Sequence, residues 1–128
     1  MMVDSAMVDT HIAVALYKGQ ISGFSKQAKR LLDSGALSFS PIVRFELELL
    51  FEISRIRETG DTVCRYLTSE LNVRESPESL REIVPHAMRF AFTRDPFDRL
   101  IVAHAELLRV PLITLDALLL AKFPRAIC

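Results

Sequence analysis

The sequence is poor in cysteine, lacks tryptophan and carries no excess of charge of either sign. Its two cysteines, Cys64 and Cys128, stand far apart without a histidine at a ligand spacing, which argues against a zinc site and a disulfide framework. Free thiols are typical of a reducing compartment. Lysine plus arginine equal aspartate plus glutamate at 16 each, so any polyanion would have to bind through a local basic patch.

Long hydrophobic runs are absent as well. The chain has no run of about 18 apolar residues, and its first residues lack a basic stretch followed by an apolar segment. We therefore expect a cytoplasmic protein without a membrane segment. The length of 128 residues, with 50% apolar and 25% charged residues, is typical of one soluble globular domain, so a single domain over residues 1–128 is expected.

Short apolar segments alternate with helical patterns along the chain. The predicted strands cover residues 6–8, 36–40, 71–73, 112–115 and 126–127. The predicted helices include one capped by Asp9 or Thr10, one ending at Gly35, four over residues 41–56, 61–69, 78–92 and 96–108, and a short turn after Asp116. This alternation indicates right-handed βαβ crossovers. We expect an α/β fold with three layers, in which helices cover both faces of a short parallel sheet.

Acidic residues stand where predicted strands end. Asp9 and Asp116 both follow strands, with Thr10 and Thr114 close to them in the chain. The carboxyl ends of parallel strands share one edge of the sheet, which is where α/β proteins bind ligands. The two aspartates are therefore expected at the same edge.

The stretch Asp95-Pro96-Phe97-Asp98 has two interpretations. Asp95 as N-cap and Asp98 in the first turn would form an ordinary helix start, with the acids placed favourably against the helix dipole. Alternatively, the two aspartates contribute to an acidic metal site. Local sequence leaves both interpretations open.

Glu46 and Glu48 provide a sharper comparison, because residues two apart point to roughly opposite sides of a helix. Glu48 falls among charged residues and is predicted to be a solvated surface residue. Glu46 falls on an apolar stripe with neighbours that include Val43 and Leu50. An ionised carboxylate in such a place costs several kcal/mol, in order of magnitude, unless it is paired. We expect Glu46 either to pair with an arginine or to face a bound cation.

Convergence of Asp9, Glu46, Asp98 and Asp116 would be opposed by mutual repulsion, because each negative charge disfavours ionisation of the next. A divalent cation removes this conflict. Oxygen ligands without cysteine or clustered histidine favour Mg²⁺ or Mn²⁺ over zinc. Such a site is suited to phosphate chemistry.

Three segments, MVDTH, LSFSPIVRFELELLFEISRI and DPFDRLIVAHAELLRVPLITLD, together resemble the PIN-domain nucleases, and most nearly the bacterial toxins of VapBC type. The resemblance covers essentially the whole chain. It implies a catalytic and metal-binding quartet of Asp9, Glu46, Asp98 and Asp116, with Asp95 an additional acid beside it. It also implies an endoribonuclease that acts on RNA with Mg²⁺ or Mn²⁺, a paired antitoxin protein and frequent homodimers.

Auxiliary roles are expected for residues near the quartet. The hydroxyls of Thr10 and Thr114 would orient carboxylates or contact phosphate. Arg94 and Arg99 would hold RNA, although Arg99 would serve equally well as an ion-pair partner of Glu46. His104 stands where glutamine is common in the family, and we expect it to pack or to form a hydrogen bond.

A catalytically silent PIN-fold module that grips a partner protein is the alternative function. In such a module the acids would pair with arginines or bind a cation only weakly. The presence of all four quartet acids favours the nuclease.

Overall fold

The computed structural model describes residues 5–128, so residues 1–4 of the predicted domain lie outside the described part. The strands described are β1 (Ala6–Val8), β2 (Leu37–Phe39), β3 (Arg74–Glu75), β4 (Leu112–Ile113) and β5 (Ala126–Ile127). The helices described are α1 (Thr10–Lys18), α2 (Lys26–Asp33), α3 (Pro41–Glu52), α4 (Gly60–Leu71), α5 (Leu80–Ala87), α6 (Pro96–Leu108) and α7 (Ala117–Lys122). Within this part, no helix combines the length and the apolar character needed to cross a membrane.

The strands form one parallel sheet in the order β3-β2-β1-β4-β5. Val8, the last residue of β1, lies beside Phe39 of β2 and Ile113 of β4, so these three strands end at the same edge. The order reverses direction between β1 and β4, and right-handed crossovers therefore place the helices of the two halves on opposite faces. The predicted three-layer α/β fold is confirmed.

The central strands are apolar on both sides because helices cover both faces of the sheet. All three residues of β1 are buried, as are Phe39 in β2 and both residues of β4. The sheet therefore provides a rigid support for the polar residues that follow these strands.

The predicted strand at residues 71–73 is wrong in position. Helix α4 runs to Leu71, and Asn72 ends it with a left-handed backbone, φ 55°. Strand β3 follows at Arg74–Glu75. Asparagine tolerates this conformation and is common at helix ends. Leu71 is therefore the last residue of α4, and Val73 is a buried loop residue.

The predicted helix over residues 78–92 begins later and ends earlier. Ser79 caps α5 and forms a capping box with Glu82. Ser76, which with Pro77 has the sequence of a helix start, instead continues the β3 strand. Its backbone N–H donates to the Phe39 carbonyl at 2.8 Å, and its hydroxyl donates to Glu78. Ser76 and Ser79 are both suited to cap a helix, but Ser76 is hydrogen-bonded in the sheet, so Ser79 is the cap.

Glu48 was expected to be only a solvated residue, and this expectation is wrong. Helix α3 ends at Glu52 rather than near Ile56, and α4 packs against it. The Glu48 Oε1 atom accepts a hydrogen bond from the Gly60 backbone N–H at 3.0 Å. Glu48 therefore satisfies one of the free N–H groups at the start of α4.

Candidate active site

Acidic side chains line one cavity at the carboxyl edge of the sheet, where the strand order reverses between β1 and β4. The cavity measures about 230 Å³. It is lined by Asp9, Thr10, His11, Glu46, Asp95, Asp98, Ile101 and Asp116. The four predicted quartet acids and Asp95 are thus brought together from four separate parts of the chain.

Three of these aspartates are also helix N-caps. Asp9 Oδ1 accepts from the Ile12 N–H at 3.0 Å, and Asp116 Oδ1 accepts from the Leu119 N–H at 3.0 Å. Asp95 Oδ1 accepts from the Phe97 N–H at 2.9 Å. Each cap occupies Oδ1 and leaves Oδ2 for other contacts, so capping and ligand binding are compatible in the same side chain.

Asp98 differs from these three because it is not an N-cap and lies within the first turn of α6. Its own N–H donates to Asp95 Oδ1 at 3.2 Å, while its carboxylate lines the cavity. Asp95 therefore holds the first turn of the helix on which Asp98 is carried. The capping interpretation is confirmed for Asp95, and Asp98 has its carboxylate in the cavity, where the metal-site interpretation stays a prediction.

Two threonine hydroxyls contact the cavity carboxylates. Thr114, which is fully buried, donates to Asp9 Oδ2 at 2.5 Å and accepts from the Asp116 N–H at 3.0 Å. It therefore links the segments that follow β1 and β4. Thr10 donates to the Glu46 carboxylate and so joins α1 to α3. These bonds restrict the rotation of Asp9 and Glu46.

Glu46 is half-buried, and its hydrogen-bond partner is Thr10 rather than an arginine. Among residues 5–128, no lysine or arginine forms an ion pair with Glu46. The alternative that an arginine neutralises it is therefore not found there. The carboxylate instead shares the cavity with four aspartates.

Burial and mutual repulsion raise the pKa values of the cavity acids. Burial, followed by the charges of Asp95, Glu46, Asp116 and Asp9, raises the pKa of Asp98 to about 6. Burial also raises the pKa of Asp9 and that of Glu46, although each accepts a threonine hydrogen bond that acts in the opposite direction. Ionisation of these carboxylates is thus unfavourable in the cavity, and a bound cation would offset their mutual repulsion.

Arg99 does not have the predicted place beside Glu46. Its Nε and one terminal nitrogen donate to the Ala87 carbonyl at 3.2 and 3.0 Å, which ties α6 to the end of α5. Arg94 donates to the Ala91 carbonyl at 3.0 Å. Both arginines line a shallow depression on the α5–α6 surface rather than the acidic cavity. The alternative that Arg99 pairs with Glu46 is wrong, because the guanidinium instead donates to the Ala87 carbonyl at the end of α5.

Two histidines have distinct positions. His11 is exposed and lines the cavity, a place that sequence reasoning missed although His11 directly follows Asp9. His104 is fully buried in α6, and its Nε2 lies 2.9 Å from Glu78 Oε1. His104 therefore acts as the expected hydrogen-bonding residue and joins α6 to the segment before α5.

The donor set of the cavity suits a hard divalent cation, because five carboxylates and the Thr10 hydroxyl outnumber the single imidazole of His11, and no thiol is included. The carboxylates surround the cavity rather than meeting at one point. Within residues 5–128, no three acidic, histidine or cysteine side chains are already placed to hold one metal ion. The arrangement fits Mg²⁺ or Mn²⁺ bound by one or two carboxylates, with water molecules as the remaining ligands.

Two substitutions of Asp95 separate the effect of its helix-capping hydrogen bonds from the effect of its negative charge. Asp95→Ala should lower the free energy of unfolding by about 1 kcal/mol, because the Phe97 and Asp98 N–H groups lose their acceptor. Asp95→Asn removes the same charge but retains a good capping group, so most of this stability should remain. Urea denaturation of the two variants measures the difference. Equal losses in both variants would show that the charge, and not the cap, is what matters.

Comparisons with known proteins agree with this architecture. The PIN domain family model matches residues 6–124. The chain is similar to a solved toxin-antitoxin complex from Klebsiella pneumoniae, with 22% identity, a TM-score of 0.66 and coverage of 97% of both chains. It is also similar to VapBC2 from Rickettsia felis, solved bound to a DNA fragment from their promoter, with 18% identity, a TM-score of 0.64 and coverage of 98% of this chain and 96% of that chain. No curated protein matches the sequence.

Proposed function

Since the chain belongs to the PIN domain family, we propose that it is a divalent-metal-dependent endoribonuclease that acts as the toxin of a toxin-antitoxin pair. The acidic cavity is the observation that carries this proposal. None of the residues 5–128 that line it is a lysine or an arginine, and the pKa of Asp98 is raised there to about 6. A site that gathers carboxylates without a cationic side chain is suited to a metal ion.

Asp9 and Asp98 would hold the ion, with Glu46 and Asp116 acting through bound water or a second cation. When bound, Mg²⁺ or Mn²⁺ lowers the pKa of a water molecule and offsets charge at the reacting phosphate. Thr114 and Thr10 keep the Asp9 and Glu46 carboxylates in fixed orientations through their hydrogen bonds. Their contribution is preorganisation, because these side chains need not reorder when the substrate arrives.

The proposed reaction is hydrolysis of an RNA phosphodiester. The water oxygen forms a bond to phosphorus and gives up a proton, the bond from phosphorus to one ribose oxygen breaks, and that ribose oxygen takes up a proton. Exposed Asp95, His11 and Asp116 place the cavity at the protein surface, where a phosphate of an unpaired strand can approach. Unpaired RNA is the form whose backbone and bases proteins reach most readily.

The proposal includes an antitoxin protein that binds this chain, a homodimer and a cytoplasmic location, where RNA is available as substrate. The two similar structures support an antitoxin partner, because one is a toxin-antitoxin complex and the other is VapBC2.

Metal dependence should appear in both activity and stability. The purified protein should cleave a structured RNA in Mg²⁺ or Mn²⁺ and should lose this activity in EDTA. Either ion should also raise the melting temperature, because binding to the folded state alone stabilises by about 2.7 kcal/mol at a concentration one hundred times the Kd. Cleavage that continues in EDTA would contradict the proposed metal dependence.

The silent interaction module is kept as a second candidate because, within residues 5–128, the carboxylates are not already placed around one ion. In that case the melting temperature would rise with Mg²⁺ or stay constant, but RNA would remain intact under every metal condition. The combined activity and melting experiment therefore distinguishes the two functions.

A further inference from the structure

Two phenylalanines are direct chain neighbours of cavity acids, although neither lines the cavity itself. Phe45 precedes Glu46 in α3, and Phe97 precedes Asp98 in α6. Their ring centroids lie 5.8 Å apart, and the ring planes are tilted by 52°. We call these two side chains the phenylalanine pair. It is carried by the same two helices that carry Glu46 and Asp98.

Phe45 is unusual because its side chain is 57% exposed, although phenylalanine is normally a core residue. Consecutive helical residues lie about 100° apart, so Phe45 and Glu46 leave α3 on adjoining sides. Phe45 also lines a second cavity of about 450 Å³ together with Pro41 and Arg44. Phe45 thus lines this depression, while the next residue, Glu46, lines the acidic cavity.

The chemistry around the ring favours a flat, neutral ligand. Arg44 is already paired with Glu75 at 2.8 Å and with Asp61 at 3.4 Å, and both partners are acidic. A phosphate group would gain little from an aromatic ring in such a setting. A nucleobase is uncharged and has a π face, and unpaired bases commonly stack on phenylalanine in RNA-binding proteins.

We propose that Phe45, supported by Phe97, is the stacking surface for the base of a nucleotide next to the cleaved phosphate. The proposal rests on the nuclease function proposed above. Phe45 and Phe97 directly precede two of the cavity acids, so the bases on either side of a phosphate held at the acids can reach the phenylalanine pair. Stacking on a ring is tolerant of base identity, so this contact contributes to substrate binding more than to the choice of sequence.

Steady-state cleavage of a single-stranded RNA in Mg²⁺ tests the proposal. Phe45→Ala should raise KM about tenfold, within the range that loss of one stacked base produces, and should leave kcat within about a factor of two. Phe45→Tyr should restore most of the affinity because it keeps the ring. Ile53→Ala is the matched control, because Ile53 is 63% exposed but caps the far end of α3, about two helical turns beyond the cavity acid Glu46.

A binding measurement makes the test independent of cleavage. The chain has no tryptophan, so Phe45→Trp introduces a single fluorescent reporter at the proposed contact. Short single-stranded RNA should quench its fluorescence, whereas Ile53→Trp should be unaffected. An unchanged KM in Phe45→Ala together with no quenching in Phe45→Trp would overturn the stacking proposal.

The outcomes separate this proposal from the nuclease proposal. Wild-type cleavage with no effect of Phe45→Ala would overturn base stacking alone. Absence of wild-type cleavage would overturn the nuclease function, and RNA quenching of Phe45→Trp would then still support a base-binding surface. If Phe45→Ala instead changes only the oligomeric mass in light scattering, the ring is covered by a second protein chain and the stacking proposal fails.

Discussion

Replacing Asp98 with asparagine should reduce RNA cleavage by at least about a hundredfold, because the variant lacks a proposed metal ligand. Even substitutions of residues that only hydrogen-bond to metal ligands lower metal affinity or activity by about 10- to 100-fold. The fold should remain intact. Asp98 is not an N-cap, and the cap of α6 is supplied by Asp95. Single-turnover cleavage of a labelled RNA at saturating Mg²⁺ measures the loss.

The same substitution should make the metal-free protein more stable at neutral pH. Asp98 has a pKa of about 6 in the folded state against an ordinary value of 3.8, so the folded state binds this proton more tightly than the unfolded state. Its contribution to stability is therefore present at low pH and is lost as pH rises through about 6. Asparagine carries no charge and removes this penalty.

Urea unfolding between about pH 4 and pH 8 in EDTA tests this sign. Wild-type stability should fall relative to Asp98→Asn across the window between the two pKa values, 3.8 and about 6. The raised pKa values of Asp9 and Glu46 act in the same direction and are present in both proteins. A wild-type protein that gains stability relative to the variant as pH rises would contradict the repulsion described here.

Asp95→Asn is the matched control for cleavage, because it removes one negative charge from the same cavity and keeps its capping group. It should retain most of the activity. Full activity in Asp98→Asn together with loss of activity in Asp95→Asn would reverse the roles assigned to the two aspartates.

Gly60→Ala should lower the free energy of unfolding by about 2 kcal/mol, as an overpacking substitution does. An added Cβ would lie 2.5 Å from the Arg44 carbonyl oxygen and 3.0 Å from the Glu48 backbone nitrogen, so the backbones of α3 and α4 would have to separate. Because α3 carries Glu46, this movement should also weaken cleavage. Urea denaturation gives the stability change.

Gly23→Ala is the control for this effect. A Cβ at Gly23 meets no atom within 4 Å, so its substitution should change stability by less than about 0.5 kcal/mol. Gly60→Ala with wild-type stability would show that α3 and α4 can separate at little cost.

Local sequence specifies much of this fold. The Ser40-Pro41 and Asp95-Pro96 pairs start helices α3 and α6 as predicted, because a cap depends on residues only two or three positions away. Asp9 and Asp116 could be placed at one edge from the sequence because parallel strands in βαβ units end on the same side. The family motifs then singled out Asp98 over Asp95, and their metal-binding and catalytic roles stay predictions.

Where the sequence offers more than one possible helix start, tertiary packing determines at which residue the helix begins. Ser76 and Ser79 both carry helix-start signals, but the N–H of Ser76 pairs with Phe39 in the sheet, so the helix begins after Ser79. Glu48 and Arg99 have no local partner, and their contacts with Gly60 and Ala87 arise only when separate helices pack. Both contacts join a side chain of one helix to a backbone group at the end of another, so they exist only after distant segments have been brought together.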